Sequence, residues 1–179
     1  MAWSTPLTAV SNTALTAAQW NASVRDNLLE TAPAKATTAG RLIVTTGPNS
    51  VAERAVESDA IATTQTTGST GYTDLATVGP SVTVTTGTKA ILLWSALMSN
   101  STANAKTYMD YQVTGATTRA PQDASSLRFQ SSTVGQEARC GQVMFEEGLT
   151  PGSNTFTAKY HTNGGTGSFG DRRLTVIAL

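Results

Sequence analysis

Short runs of β-forming residues separated by turn residues fill the chain from Tyr72 onward, and this punctuation constrains the fold more than any other feature. Strands are expected over 72–78, 81–86, 89–99, 106–114, 126–133, 138–146, 154–162 and 168–179, with Gly, Pro, Asn or Ser between nearly every pair. Several carry the period of two that places one face on a core: Val82 and Val84; Val143 and Phe145; Phe156, Ala158 and Tyr160; Leu174, Val176 and Ala178. Turn signals about every 8 to 15 residues describe an antiparallel β-sandwich, most economically a jelly roll. Composition agrees, since 32 threonines and 15 glycines with only 13% charged residues favour strands and tight turns. The fold class is therefore mostly β. Ala90-Ile91-Leu92-Leu93-Trp94 breaks the alternation, as a strand does when it is central or covered on its outer face by another subunit. Residues 149–179 read as one long hairpin that closes the sandwich, with turn signals at Pro151-Gly152 and Asn163-Gly164-Gly165.

The chain before residue 63 has a different character. Thr16 and Gln19 have capping-box spacing, and Ala17, Trp20, Val24 and Leu28 recur at three- and four-residue steps, so a short amphipathic helix is expected over about 16–31. Pro33 should stop it. So narrow an apolar stripe cannot hold a lone helix in water, and the helix needs a partner surface. An extended Ala/Thr/Pro linker follows over 31–39, then a hairpin over about 41–56 turning at Gly47-Pro48-Asn49-Ser50. An isolated hairpin is marginal in water and also needs a partner. The polar stretch 57–70 marks the boundary, giving an N-terminal attachment region over 1–62 and a displayed sandwich over 63–179.

Helix and hairpin in tandem resemble the N-terminal region of small tail, fibre and head-decoration proteins of tailed bacteriophages. The residues that carry the resemblance are Trp20, Asn21, Val24, Arg25, Asp26, Asn27 and Leu28, then the phrase GRLIVTTGPNSV over 40–51. The match covers about the first third of the chain. It implies a structural or adsorption role in a virus particle, with those helix residues serving attachment and assembly.

Charge excludes other classes. Lys+Arg and Asp+Glu balance at 12 each, which argues against a nucleic-acid grip and against binding an anionic membrane by charge. A near-neutral polar surface gives little repulsion between copies. The single Cys140 forms no internal disulfide and fits a reducing cytoplasm. The first ten residues have neither a basic nor an apolar leader region, and no window approaches a membrane span, so neither a signal peptide nor a transmembrane span is expected; the resemblance implies a virion assembled in the host cytoplasm.

Chemistry is sparse. His161 is the only histidine and sits beside a turn, so a catalytic set lacks its base; Cys140 reads as a small packing residue. No cysteine–histidine spacing suits zinc and no loop suits calcium, so neither metal nor cofactor is expected. Glu146 and Glu147 point to opposite faces of a strand, and Asp110, Asp123 and Asp171 lie on separate elements, which leaves no pair to flank a glycosidic bond. Tyr108 and Tyr111 are the candidates for stacking on a host cell-surface glycan, alongside Phe129, Tyr160 and Phe169, although alternating aromatics also fill sandwich cores. The expected protein is a non-enzymatic virion component, a small tail or fibre protein assembled as a homotrimer. A capsid decoration or head-fibre protein is the alternative, and a carbohydrate-binding module a further one.

Overall fold

The structure, a computed structural model, describes Thr5, Leu7, Thr8 and residues 10–179. The reading of the first ten residues as leaderless falls largely on positions outside the described residues. The chain divides into two compact units, residues 1–55 and 56–179.

In the first unit the expected capping box forms. Thr16 Oγ1 accepts from the Gln19 amide at 3.2 Å, and Gln19 Oε1 accepts from the Thr16 amide at 3.0 Å. The helical path runs through α1 (Ala17–Trp20), a π-helical turn over Asn21–Arg25 and α2 (Asp26–Leu29), ending two residues short of the expected limit. The wide turn disturbs the α-helical phase on which the stripe was read. Its outcome is a buried Asn27, whose amide donates to Ser23 O at 3.0 Å, a half-buried Val24, and exposed Trp20 and Leu28. Pro33 does not simply end the helix: it lies within α3 (Ala32–Lys35), a single turn where an extended linker was expected. Proline is tolerated there because first-turn amides have no intrahelical partner.

The hairpin joins β1 (Leu42–Gly47) to β2 (Ser50–Arg54) in a sheet of two strands, with Asn49 at φ +53° in the turn. One side chain clips the preceding segment to it. Glu53 accepts from the Thr37 amide (2.6 Å), the Thr37 hydroxyl (3.1 Å) and the Thr38 amide (3.1 Å), and pairs with Arg41 at 3.2 Å. These bonds, the Thr37 amide foremost, hold its carboxyl below the ordinary 4.5. A depressed carboxyl contributes above its unfolded value and loses that contribution as pH falls through its folded one. Glu53→Gln should therefore lower the hydrogen-exchange protection factors of Thr37 and Thr38 at neutral pH, and acidification below 4.5 should do the same to the unaltered chain once the slower intrinsic exchange in acid is divided out. Amide exchange by NMR reads both.

The second unit is an eight-stranded antiparallel sandwich plus one short strand. In chain order the strands are β3 (Val56–Ile61), β4 (Gln65–Thr67), β5 (Ser81–Thr86), β6 (Lys89–Asn100), β7 (Lys106–Gly115), β8 (Leu127–Gln130), β9 (Ala138–Glu147), β10 (Gly152–Thr162) and β11 (Gly167–Ala178). One sheet has the order β5-β10-β7-β8 and the other β3-β11-β6-β9, with β4 on β11. The first long strand pairs with the last, the second with the next to last, and so inward to β7 with β8. That nesting is the jelly roll.

Alternation fills the space between the sheets. Val82 and Val84; Leu92, Trp94 and Met98; Met109 and Val113; Phe156 and Tyr160; and Leu174 and Val176 are all buried, and Trp94 Nε1 donates to Met109 O at 3.3 Å.

Four expectations change. The boundary expected within 57–70 lies earlier: 56–61 pair in register with β11, so the second unit begins at Val56 and not at 63. Residues 72–78 form no strand, holding one bridge from Thr73 to Tyr160 and a side-chain clasp in which Gln65 Oε1 accepts from the Thr77 amide at 3.0 Å. Strands β10 and β11 lie in different sheets, so the chain after Asn163 crosses the sandwich and does not turn back as a hairpin. Buried Asn100 pins that crossing, its amide donating to Thr107 Oγ1, Thr162 Oγ1 and Gly164 O at 2.9 to 3.2 Å. Finally, β9 alternates with its polarity inverted. Gln142 and Met144 are opposite inward-facing Trp94 and Leu92, and Val143 and Phe145 face out.

Candidate functional site

That inversion builds an apolar surface on the outside of the β3-β11-β6-β9 sheet. Phe145, Ile91, Ile177 and Val56 lie in one cross-strand row, and Val143, Leu93, Thr175 and Ser58 in the next. Val143 is 63% exposed, Phe145 50% and Leu93 37%. Ile91 and Leu93 are the outward half of the apolar run in the sequence; Ala90, Leu92 and Trp94 are the buried half. Two charge pairs lie at the margins, Lys89 with Glu147 at 2.9 Å and over the Phe145 ring, and Arg139 with Asp171 at 2.7 Å, while exposed Arg173 stands in the adjoining row opposite Ser95 and Ala60. An exposed apolar face of this kind is characteristic of a surface that another protein covers.

The outside of the opposite sheet is polar. His161 on β10 stacks on Tyr108 of β7 with ring centroids 4.2 Å apart, meets the edge of Tyr72 at 4.3 Å, and holds Asp123 at 2.9 Å from Nε2. Beside this stack is a groove of about 310 Å³ lined by Tyr72, Thr73, Asp74, Gln112, Pro121 and Lys159. Lys159 pairs with Asp74 at 2.7 Å. Burial pushes the Tyr72 hydroxyl above its ordinary range, so it stays a neutral phenol.

Loop 116–126 closes over the edge of β7 and assembles a buried ion cluster. Arg119 reaches Asp110 at 3.6 Å and Glu146 at 3.4 Å, donates to Tyr111 O at 3.0 Å and to Ser125 Oγ at 2.6 Å, and stacks over the Tyr111 ring. Asp110 also accepts from the Gln122 amide at 2.7 Å and from Ser125 Oγ at 3.0 Å. Tyr111 donates a short hydrogen bond to Glu146. Burial holds the Asp110 carboxyl above the usual range against these donors and Arg119, which oppose it. Two carboxylates the sequence left apart thus meet, but around a shared guanidinium whose single charge lies between them.

Other anticipated residues have structural places. Tyr108 is 6% exposed and Tyr111 1%, so neither offers a free ring to a sugar; the first is covered by His161 and the second reaches between the sheets. In the helix, Arg25 and Asp26 pair with each other at 2.8 Å, the long arginine side chain folding back on its neighbour. Asn21 caps α1 through its amide to Ala17 O and Ala18 O. Cys140 is half-buried, and burial raises its thiol. Among the described residues no hydroxyl bonds a His161 nitrogen, no group of three His, Cys, Asp or Glu could hold a metal, and no helix is long and apolar enough to cross a membrane. The residues that sequence reasoning missed, Tyr72, Gln112 and Lys159, carry no local motif.

No family model matches the sequence, and no curated protein matches it. Among solved structures the chain is similar to a family two carbohydrate esterase from Cellvibrio japonicus, at 16% identity over 70% of this chain, with a TM-score of 0.28. The matched region spans 35% of that chain.

Proposed function

We propose that this chain is a non-enzymatic structural component of a bacteriophage particle, a small tail or fibre protein held by its N-terminal unit and displaying the sandwich as a homotrimer assembled in the host cytoplasm. The alternative within this reading is a capsid decoration or head-fibre protein, and copy number per particle separates the two. The resemblance of the WNASVRDNLL helix and GRLIVTTGPNSV hairpin to phage attachment regions supports the reading. The observation that carries it is the apolar outer sheet face around Leu93, Val143 and Phe145. Its occupant is a second copy of the chain: Lys89 with Glu147 and Arg139 with Asp171 offset one another at the margins, and a formal net charge of zero sets up no long-range repulsion between copies. Exposed Trp20, Leu28 and Leu29 supply the matching need in the N-terminal unit.

Native mass spectrometry tests this. The expected mass is three times 18.6 kDa. Phe145→Glu combined with Leu93→Glu should give a folded monomer, since charge on an apolar interface costs several kcal/mol on association while these positions face away from the core. A monomeric unaltered chain overturns the assembly. A dimer that the double variant dissociates would keep the interface and overturn the trimer.

A further inference from the structure

We infer that the groove on the outside of the β5-β10-β7-β8 sheet binds a neutral hexopyranose unit of a glycan. The inference takes the displayed sandwich of the proposed function as its setting and gives that surface a ligand class.

Size comes first. A volume of about 310 Å³ lies at the small end of ligand pockets and suits a single ring in place of an extended apolar molecule. The lining then selects the chemistry. Gln112 on β7 and Lys159 on β10 stand on neighbouring strands, with Thr73 and Asp74 on one side. The Gln112 side-chain amide makes no hydrogen bond to any described residue, which leaves two donors and an acceptor to a ligand. Lys159 uses one of its donors on Asp74, and Asp74 keeps a second oxygen. Interleaved donors and acceptors match adjacent hydroxyl groups, each of which both gives and accepts a proton. The lysine and aspartate cancel in charge, so the groove favours neither an anionic nor a cationic ligand. Tyr72 and Pro121 supply the apolar part of the lining, which suits the C–H face of a pyranose.

Preorganisation is the remaining element. Tyr72 rests on His161, which is itself fixed between Tyr108 and Asp123. The buried stack that removes Tyr108 from solvent therefore serves as the support under Tyr72, and little ordering is left for a ligand to impose.

Saturation-transfer NMR on the full chain with the methyl glycosides of glucose, galactose, mannose and N-acetylglucosamine tests the site. Transfer to the ring protons of at least one is expected. Gln112→Ala and Lys159→Met, both on the solvent face of their strands, should each weaken binding about two- to tenfold, the equivalent of one neutral hydrogen bond, with circular dichroism unchanged. Tyr72→Phe keeps the ring and should keep the binding. Absence of transfer to all four glycosides overturns the inference, as does equal binding by both variants, or binding confined to glucuronic or sialic acid. The Phe145→Glu, Leu93→Glu chain, altered only on the opposite sheet, should bind the sugar as the unaltered chain does. Loss of trimer and loss of sugar binding are thereby separate failures.

Discussion

Arg172→Met should destabilise the sandwich by at least about 3 kcal/mol and loosen the segment over 62–79. Arg172 follows Asp171, which sits at φ +45° where the pairing of β11 with β6 shifts register, and its side chain turns into the interior and is fully buried. The guanidinium donates to Thr63 O (3.3 Å), Gln65 Oε1 (3.0 Å), Thr77 O (3.4 Å) and Gly79 O (3.2 Å), and lies 5.4 Å from the Tyr160 ring centroid. Replacing a buried ion pair by apolar groups can be neutral because both partners leave together. Here only the donor can leave. Three of its four acceptors are backbone carbonyls; Gly79 O keeps the Tyr160 hydroxyl as donor at 2.8 Å, but the Thr63 and Thr77 carbonyls lose the guanidinium, and an acceptor left without its donor costs about 1 to 3 kcal/mol. Arg172→Lys keeps the charge but has three donors on one atom, and should recover only part of the loss. Urea unfolding gives the magnitude and limited proteolysis between residues 62 and 79 gives the location. A midpoint within experimental error of the unaltered chain would show that β4, the Thr73–Tyr160 bridge and the Gln65–Thr77 clasp hold this segment without Arg172.

Arg119→Met should cost about 3 to 5 kcal/mol at pH 7, and its cost should shrink in acid. Without the guanidinium, Asp110 and Glu146 keep their neutral donors, Gln122, Ser125 and Tyr111, but have no cation between them. Burial already raises Asp110, and removing Arg119 raises it further. A carboxyl whose folded value lies above its unfolded one takes up a proton on folding. Its penalty is complete above the folded value and vanishes as pH falls toward the ordinary 3.8. The variant should therefore gain stability relative to the unaltered chain between pH 7 and about pH 5. Adding Asp110→Asn should restore part of the loss at pH 7, since the amide oxygen still accepts from Gln122 and Ser125. A variant whose deficit is the same at both pH values would mean that Arg119 acts only through its packing on Tyr111.

The strands that sequence displayed well are those with a buried face on one side. In β5, β10 and β11 the period of two coincides with the core, and their bounds fall within about two residues of expectation. Period alone does not say which side is inside, and β9 shows the consequence, because Val143 and Phe145 alternate correctly and face outward. Strand β3, with the sequence VESDAI, lies at a sheet edge and is mostly exposed, so it has no pattern to read. Asn163-Gly164-Gly165 carries turn chemistry suited to a hairpin, yet a crossing between sheets uses the same residues: at Gly165, φ is +64° and a Cβ would strike Thr102 and Asn100. The groove was illegible for a different reason. Tyr72, Gln112 and Lys159 come from three parts of the chain, and only the pairing of β7 with β10 brings two of them together. For Tyr108 and Tyr111, burial depends on loop 116–126 and on residues of the other sheet, which no local spacing reports.

The pairing of β3 with β11 bears on how the protein is made. During synthesis β3 emerges long before the strand it must join, and β6, the other neighbour of β11, waits with it. The sandwich cannot close progressively behind the ribosome; it closes when its last strand arrives. Contacts so distant in sequence make folding slow, and until then the ladder edge of β6 is open to the same strand of a neighbouring nascent chain. Expression rate and temperature should consequently govern the yield of soluble protein more strongly than the stability of the finished fold does.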